Sequence, residues 1–311
     1  MITAPPVPRH FLRVSDLDRG SLTALLDLAE VMRERPHGFV DALRGDTLVC
    51  LFEKPSTRTR VSFAAAAERL GMMPLLLRPD ELQLGRGETI EDTARTLSGY
   101  AAAIVVRTFA HETVEQLAGA ASVPVINALT DVHHPCQALA DLLTLRERFG
   151  SLEGLRVAFV GAGNNVATSL LEAGALAGIE VVVACPPGHE PRAPGRVVAD
   201  PYEAVAGADA VYTDVRVSMG EEGEDRLARF EPYRVDARLM AAASPDAVFL
   251  HCLPAHRGEE VTAEVIDGPQ SVVWRQAENR LPTEEALVLA LVTRRWEALP
   301  GGPGRPLPTA A

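Results

Sequence analysis

Short runs rich in Val, Ile and Leu alternate with longer stretches of helical periodicity through most of the chain. A strand covered by helices on both faces reads as a continuous apolar run, and the alternation of such strands with helices is typical of α/β proteins. We therefore predict an α/β fold with two mainly parallel sheets, each flanked by helices. The predicted strands are Thr47 to Phe52, Ala103 to Val106, Val125 to Ala128, Arg156 to Val160, Glu180 to Ala184, Ala210 to Thr213, Val248 to His251 and Val272 to Trp274.

The length of 311 residues indicates two domains, since a typical domain has about 150 residues. A predicted helix from Pro135 to Phe149 precedes glycines that suit a boundary near Gly150 to Gly154. We expect a first domain over residues 1–149, a second over 150–282, a last helix over 283–298 with Thr283 as its N-cap, and a flexible tail over 299–311. Ligands bind beyond the carboxyl ends of parallel strands, so we expect the active site in the cleft between the domains.

The chain carries 30 Lys and Arg against 42 Asp and Glu, for a net charge of −12. Nucleic acids and anionic membranes need a basic face on their partner, so this balance argues against both. The N-terminal residues do not resemble a signal peptide, and no run of about 18 apolar residues predicts a membrane-spanning helix. The four cysteines lack the close spacings of zinc and redox motifs. These features predict a cytoplasmic protein.

The segment from Ser56 to Arg60 follows the first predicted strand and opens a helix. Backbone N–H groups at a helix start, the hydroxyls of Ser56, Thr57 and Thr59 and the guanidinium of Arg58 suit an anion the size of phosphate. The structural alternative is that these polar residues only cap the helix. We favour anion binding, because two arginines in one helical turn repel each other unless an anion lies between them.

The segment from Asp131 to Gln137 also lies between a strand and a helix. The imidazole of His134 and the amide of Gln137 can donate hydrogen bonds to a carbonyl or amide substrate, although a capped helix with one histidine in its wall fits the same pattern. A zinc site formed by His133, His134 and Cys136 is disfavoured, because adjacent side chains converge poorly on one ion. We therefore assign no metal ligands.

The glycine-containing segment from Gly161 to Asn165 stands where a dinucleotide-binding fingerprint would be. Val166 replaces the expected third glycine, and the next strand ends without an acid for a ribose hydroxyl. We therefore predict no nicotinamide cofactor. Asn165 would bind a polar substrate, or else the segment is only a tight turn.

Three more polar groups follow predicted strands in the second half of the chain. Asp214 can bind a cationic amine, and Arg280 is either another anion contact or a surface salt bridge. Cys252, in His251-Cys252-Leu253-Pro254, is either a nucleophile or a thiol that orients the substrate. We favour the orienting thiol, because no evident base and third group accompany it.

Taken in order, the Ser-Thr-Arg-Thr-Arg segment at 56–60 and the His-Pro-Cys-Gln segment at 134–137 resemble the carbamoyl phosphate signatures of the aspartate/ornithine carbamoyltransferase family. The segments at 214–220 and 251–254 resemble the ornithine branch, since aspartate carbamoyltransferases have proline where Cys252 stands. The resemblance runs from Phe11 to Trp296. It implies transfer of a carbamoyl group from carbamoyl phosphate to L-ornithine in arginine metabolism, which gives L-citrulline and phosphate without a cofactor. It also implies a homotrimer, a first domain that binds carbamoyl phosphate with the last helix packed back on it, and a second domain that binds ornithine.

The same resemblance assigns the site residues one by one. The implied ligands of carbamoyl phosphate are Ser56, Thr57, Arg58, Thr59, Gln83 of a neighbouring subunit, Arg107, His134, Gln137, Cys252, Leu253 and Arg280. The implied ligands of ornithine are Asn165, Asp214, Ser218 and Met219. The residues implied in catalysis are Arg58, Arg107, His134, Asp214 and Cys252.

The chain departs from the family pattern at three places. Ala162 stands where an acid is common, Arg216 where tryptophan is usual, and Pro282-Thr283-Glu284 where His-Ala-Gln is usual. None of these is an implied substrate ligand, but Arg216 places a positive charge near Asp214 and would weaken recruitment of an amine.

Two other functions stay open from the sequence. One is carbamoyl transfer to another amine, such as putrescine or an acylated ornithine, against which the Ser218-Met219-Gly220 segment argues. The other is a non-catalytic sensor that keeps the anion pocket and binds a partner protein, against which the intact motifs count.

Overall fold

The computed structural model describes residues 5–54, 56–82, 87–216 and 229–296 of the chain. Contacts between Cα atoms divide these residues into two compact units. The first unit takes residues 5–12, 16–130 and 280–296, and the second takes residues 13–15 and 131–279. Among the described residues, no helix has both the length and the apolar character needed to span a bilayer.

The first unit is built on a sheet of four parallel strands, in the spatial order β2, β1, β3, β4. The strands are β1 (Thr47–Phe52), β2 (Met73–Leu77), β3 (Ala103–Arg107) and β4 (Val125–Leu129). Nearly every residue of β1, β3 and β4 is buried, which accounts for their continuous apolar sequences. The edge strand β2 differs, because Met73 and Leu75 are exposed.

The helices that follow these strands in sequence cover the sheet of the first unit. They are α1 (Arg19–Glu34), α2 (Arg58–Arg69), α3 (Ile90–Ser98) and α4 (His111–Ala120). The side chain of Asp18 caps α1 by accepting a hydrogen bond from the Ser21 N–H, and Thr89 caps α3 in the same way from the Asp92 N–H.

The second unit has a sheet of five parallel strands, in the spatial order β7, β6, β5, β8, β9. The strands are β5 (Arg156–Val160), β6 (Glu180–Ala184), β7 (Arg196–Val198), β8 (Ala210–Thr213) and β9 (Val248–His251). The chain runs outward from β5 to β7 on one side and then from β8 to β9 on the other. The order therefore reverses between β5 and β8, and the carboxyl ends of such a neighbouring pair are where open α/β sheets bind ligands.

The remaining helices are short apart from the first two and the last. They are α5 (Pro135–Phe149), α6 (Asn165–Ala177), α7 (Pro201–Val205), α8 (Ala237–Met240), α9 (Ala263–Ile266), α10 (Val273–Glu278) and α11 (Arg280–Thr293). Helices α5 to α10 belong to the second unit. Helix α11 belongs to the first unit, where it packs against α1 and α2.

The structure confirms the predicted α/β class and seven of the eight predicted strands, of which β3 and β4 extend one residue further than predicted. The predicted strand Val272 to Trp274 is wrong, because this run forms the start of α10 and only Ser271 bridges to Phe249 of β9. A three-residue apolar run does not distinguish a strand from a buried helical turn. The sequence also gave no signal for β2, which is half exposed, or for β7, which has only 3 residues.

Helices α5 and α11 divide the chain differently from the sequence prediction. Helix α5 has the predicted bounds but lies in the second unit, because it packs against α6 and α10 there, so the units separate after residue 130 rather than near 150. Helix α11 begins at Arg280, and Thr283 is not its N-cap, since the Thr283 hydroxyl lies inside the helix and donates to the Arg280 carbonyl at 3.1 Å. The predicted tail over 299–311 lies outside the described residues.

Candidate active site

The carboxyl ends of β1 and β3 bring the first predicted anion ligands together in the first unit. Arg107 is the last residue of β3 and pairs with Phe52, the last residue of β1. Beyond Phe52, the Glu53 N–H donates to the Arg107 carbonyl at 2.8 Å, and α2 begins five residues later at Arg58. The register of the sheet therefore places Arg107 beside the segment that leads into α2.

The start of α2 presents polar groups that the helix itself does not use. Thr57 occupies the N-cap position but makes no side-chain capping hydrogen bond, and its side chain is exposed. Ser56 and Arg58 are half-buried, whereas Thr59 is almost completely buried. Because the Thr57 hydroxyl does not serve as a cap, the interpretation of this segment as a mere helix cap loses support, and the N-terminal N–H groups of α2 favour an anion.

Arg280 joins this group from the first residue of α11. Its Nη2 lies 3.4 Å from the Thr59 hydroxyl, and its Nε lies 2.8 Å from Glu284 Oε1. Burial raises the pKa of Glu284, and the adjacent Arg280 guanidinium opposes that rise. Arg280 is only 3% exposed. The structure therefore excludes the surface salt bridge that was its alternative reading and places it against the start of α2.

A second group forms in the second unit, where β8 and β9 end side by side. Thr213 and His251 are register partners, so the residues that follow them, Asp214 and Cys252, are neighbours. The Cys252 thiol donates to Asp214 Oδ1 at 3.0 Å, and Asn164 Nδ2 donates to Asp214 Oδ2 at 2.7 Å. Both oxygens of the buried Asp214 carboxylate are thus held by donors, which fixes the orientation of the side chain.

Asn164 is a site residue that the sequence reasoning missed. Its Oδ1 caps α6 by accepting from the Val166 and Ala167 N–H groups, at 3.0 and 3.2 Å, so its Nδ2 must point away from the helix and toward Asp214. The predicted ligand Asn165 is the half-buried first residue of α6. The signal for Asn164 was present in the sequence, since asparagine before an apolar helix is a strong N-cap.

The loop after β9 is set by His251. His251 Nδ1 accepts from the Leu253 N–H at 2.8 Å, which leaves Nε2 to donate to Glu260 Oε1 at 3.2 Å. Burial alone would raise the pKa of Glu260, but hydrogen bonds from His251 and the His256 N–H hold it below its usual value. Leu253 has a φ of 58°, a conformation that costs energy in a residue with a side chain. The imidazole therefore holds the Leu253 backbone in an unusual conformation beside Cys252.

The contacts of Cys252 disfavour its reading as a nucleophile. Its thiol donates to a carboxylate, and this hydrogen bond keeps the proton on sulfur, whereas the thiolate is the nucleophilic form. The imidazole of the preceding His251 is engaged with Glu260 and Leu253 instead of the thiol. Cys252 is therefore best described as a thiol that contacts whatever Asp214 binds.

The start of α5 carries the last predicted ligands. The His134 N–H donates to the Ser169 hydroxyl at 2.8 Å, and the His134 side chain is buried. Gln137 Nε2 donates to Asp141 Oδ1 at 2.8 Å, and Gln276 Nε2 donates to the same oxygen at 2.7 Å. Sequence reasoning missed Asp141 and Gln276, although an acid in an otherwise apolar helix face is a rare feature that merits attention.

Other donor groups in the described residues do not match the zinc alternative. The histidines and cysteine of that alternative, His133, His134 and Cys136, do not form one of the donor clusters, which are Asp214 with His251 and Cys252, and His256 with Glu259 and Glu260. In the first cluster both His251 nitrogens already make hydrogen bonds. In the second, Glu260 Oε1 already accepts from His251 and from the His256 N–H.

Three of the implied ligands lie outside the described residues, namely Gln83, Ser218 and Met219. Arg216, the departure nearest to Asp214, is buried and its Nη1 lies 3.0 Å from Glu231 Oε2. Its positive charge therefore has a carboxylate of its own.

Comparisons with known proteins agree with this division of the site. Residues 9–147 match the family model described as aspartate/ornithine carbamoyltransferase, carbamoyl-P binding domain, and residues 153–291 match the Asp/Orn binding domain of the same family. The ornithine carbamoyltransferase of Methanothermobacter thermautotrophicus is 54% identical over 300 residues, which cover 90% of this chain and 97% of that protein.

Solved structures give the same result. Ornithine carbamoyltransferase from Pyrococcus furiosus superposes with a TM-score of 0.88 at 46% identity, over 93% of this chain and 98% of that one. The enzyme of the same name from Thermus thermophilus superposes with a TM-score of 0.86 at 47% identity, over 92% of this chain and 99% of that one.

Proposed function

This chain belongs to the aspartate/ornithine carbamoyltransferase family, and we infer that it transfers the carbamoyl group of carbamoyl phosphate to the δ-amine of L-ornithine, releasing L-citrulline and phosphate. The observation that carries the choice of acceptor is the Asp214–Cys252 pair. A carboxylate held from both sides suits a cationic amine, and an aspartate-specific site would have no use for one at this position.

The first unit supplies the phosphate ligands in this proposal. Ser56, Thr57 and Thr59 offer hydroxyls, and the N-terminal N–H groups of α2 add the positive end of a helix dipole. The guanidiniums of Arg58, Arg107 and Arg280 balance the charge of the dianion and can bind its oxygens with parallel hydrogen bonds. The 3.4 Å contact between Arg280 and the Thr59 hydroxyl supports a shared role for these groups.

The second unit supplies the amine ligands. An amine such as the δ-amine of ornithine has a pKa near that of lysine, about 10.4, so most of it is protonated at neutral pH. Asp214 attracts this cation, and the amine must lose its proton before nitrogen can attack the carbonyl carbon. The Cys252 thiol packs beside it, and Asn165, Ser218 and Met219 are the proposed ligands of the α-amino and carboxylate groups.

Attack by the amine places negative charge on the carbonyl oxygen of the carbamoyl group. Arg58, Thr59, Arg107 and His134 are the proposed donors to this oxygen, because charge that develops in a prearranged polar site is stabilised without reorganisation. Gln137, Cys252 and Leu253 contact the carbamoyl group. Positioning two bound reactants supplies the rest of the acceleration, and the proposal assigns no metal or organic cofactor.

Steady-state formation of citrulline tests the proposal. Wild-type protein should form citrulline from carbamoyl phosphate and L-ornithine, and it should use putrescine and acylated ornithine far less well. Asp214→Asn should lower kcat/KM for ornithine by about 10- to 100-fold, since hydrogen bonds to charged groups contribute about 1.5–3 kcal/mol. The matched control is Asp246→Asn, which alters an exposed carboxylate of the same unit.

The outcomes separate the remaining functions. Turnover of another amine in preference to ornithine would replace the proposed acceptor. Carbamoyl phosphate binding without turnover of any amine would favour the sensor. Unchanged ornithine kinetics in Asp214→Asn would remove the role given to the Asp214–Cys252 pair.

Assembly, compartment and pathway belong to the same proposal. We propose a cytoplasmic homotrimer that serves arginine biosynthesis and in which Gln83 reaches a neighbouring subunit's site. In the first unit, Val61 on α2 and Met73 and Leu75 on the edge strand β2 expose apolar surface, and such surface supports self-association. Sedimentation equilibrium should give three times the mass of one chain, and a monomer at all concentrations would contradict the assembly.

A further inference from the structure

A continuous chain of buried hydrogen bonds links the start of α5 to the end of β9 in the second unit. Asp141 is at its centre, and its side chain, like those of Gln137, Gln276 and His251, is at most 2% exposed. Asp141 Oδ1 accepts from Gln137 Nε2 at 2.8 Å and from Gln276 Nε2 at 2.7 Å. Gln276 Oε1 in turn accepts from the His251 N–H at 2.9 Å.

We propose that Asp141 is a positioning residue that determines which end of the Gln137 amide faces the carbamoyl group. The inference rests on the proposed function, since it takes Gln137 as a ligand of carbamoyl phosphate. It deepens that function by assigning a residue that selects the carbamoyl group over other phosphorylated or anionic ligands.

The orientation follows from the chemistry of the partners. An ionised carboxylate only accepts hydrogen bonds, and an amide has a donor end and an acceptor end. Each glutamine must therefore turn its NH₂ toward Asp141 and its carbonyl oxygen away from it. The Gln276 carbonyl reaches the His251 N–H in this way, and the Gln137 carbonyl lies on the side of Gln137 opposite Asp141.

An outward carbonyl oxygen matches one feature of carbamoyl phosphate. The carbamoyl NH₂ donates hydrogen bonds, whereas inorganic phosphate has no such group and acetyl phosphate has a methyl group in its place. If the Gln137 amide turned over, its NH₂ would face the substrate NH₂, and two donors would meet. A buried site built to accept a hydrogen bond rejects a ligand that cannot donate one, because its acceptor is left unpaired.

The second arm of the network gives Asp141 a further anchor. Gln276 ties it to the backbone of His251, which immediately precedes Cys252. Asp141 also lies close to the Tyr212 hydroxyl, on the strand that leads to Asp214. Asp141 is consequently held from two directions, which gives its carboxylate a fixed position from which to orient Gln137.

The test compares the binding of carbamoyl phosphate with that of inorganic phosphate, by calorimetry, in the full-length protein. Asp141→Asn keeps the size of the side chain but adds an NH₂ that competes for the amide partners. We expect its affinity for carbamoyl phosphate to fall about tenfold, the equivalent of one hydrogen bond. Affinity for inorganic phosphate should stay within about twofold, because the proposed phosphate ligands lie in the first unit.

A double-mutant cycle separates positioning from general structural damage. Gln137→Met removes the amide at similar volume and should cause the same loss of discrimination between carbamoyl phosphate and phosphate. The Asp141→Asn/Gln137→Met double variant should show no further loss of this discrimination. If Asp141→Asn fails to fold, Gln137→Met alone still tests the inference, since a variant that discriminates like the wild type would overturn it.

The outcomes also distinguish this inference from the proposed function. A wild-type protein that forms no citrulline and shows no preference for carbamoyl phosphate over phosphate refutes the proposed function, and this inference with it. Normal citrulline formation by the wild type, together with equal loss of both affinities in Asp141→Asn or an independent loss in the double variant, overturns the positioning role alone.

Discussion

A buried carboxyl group on α11 makes the stability of the first unit depend on pH. Glu285 is fully buried, and neither of its oxygens has a hydrogen-bond partner among the described residues. Its nearest opposite charge is Arg69 on α2, at 3.9 Å. Burial raises the pKa of Glu285 from 4.5 to about 8, even though Arg69 acts in the opposite direction. The family pattern gives no role to this residue, so it can be changed without touching a proposed ligand.

The direction and size of the effect follow from this pKa. Between pH 4.5 and about 8 the folded chain holds a proton that the unfolded chain has released, so the free energy of unfolding falls as the pH rises through that window. The shift is 8 − 4.5 = 3.5, and each pKa unit corresponds to about 1.36 kcal/mol, so the full loss is about 5 kcal/mol. At pH 7 only about 2.5 units of the window have been crossed, which corresponds to about 3 kcal/mol.

Glu285→Gln replaces the carboxyl group with a neutral amide of the same size. We expect this variant to match the wild type near pH 4.5, where both side chains are neutral, and to be more stable by about 3 kcal/mol at pH 7 and about 5 kcal/mol above pH 8. Urea unfolding followed by circular dichroism at a series of pH values between 4.5 and 9 measures the difference. The control is Glu264→Gln, which neutralises an exposed carboxylate.

The difference between the two stability curves carries the result. Curves for wild type and Glu285→Gln that stay parallel from pH 4.5 to 9 would refute the reasoning, since they would mean that the side chain titrates alike in the folded and unfolded chains. A pH dependence of the same size in the Glu264→Gln control would point to the net charge of the chain instead of to Glu285.

Three further predictions follow from individual contacts. Asn164→Ala removes the donor on Asp214 Oδ2 and should lower kcat/KM for ornithine about tenfold, with the KM for carbamoyl phosphate unchanged in steady-state assays. Arg280→Met should weaken the binding of inorganic phosphate about tenfold or more in calorimetry, and an unchanged affinity would exclude Arg280 from the phosphate site. Glu260→Gln should destabilise the protein at pH 7, where the lowered pKa of Glu260 keeps it ionised against His251, and this difference should shrink as the pH falls through that pKa; unfolding curves at pH 7 and pH 4 measure it.

The strands were the most predictable part of the fold, and their burial explains why. Strands such as Arg156–Val160 and Val248–His251 have helices or other strands on every side, so their apolar runs are bounded sharply by polar residues. The run at Val272 to Trp274 is as apolar, but Trp274 is exposed and the segment is helical. Composition over three residues does not contain that difference, because it depends on what packs against the segment.

The site shows a different limit. Motif reasoning identified Asp214 and Cys252, and the structure pairs them at 3.0 Å. It did not identify Asn164 and Asp141, which touch those or other proposed ligands from the side away from the substrate. Residues of this kind act through the orientation of a neighbour, and a linear motif contains no information about which side chains face one another across 50 residues, as Asn164 and Asp214 do.

The departures from the family pattern are physically accommodated by this chain. Arg216 could have competed with the amine for Asp214, but its guanidinium lies 3.0 Å from Glu231 Oε2 instead. Glu284 stands where glutamine is usual, and its Oε1 accepts from Arg280 Nε at 2.8 Å, so the substitution retains an acceptor for the guanidinium. A carboxylate at this position also draws positive charge away from the anion that Arg280 would bind. Glu284→Gln should therefore strengthen phosphate binding while it preserves the Arg280 hydrogen bond, and weaker binding would show that the carboxylate is needed to hold Arg280 in place.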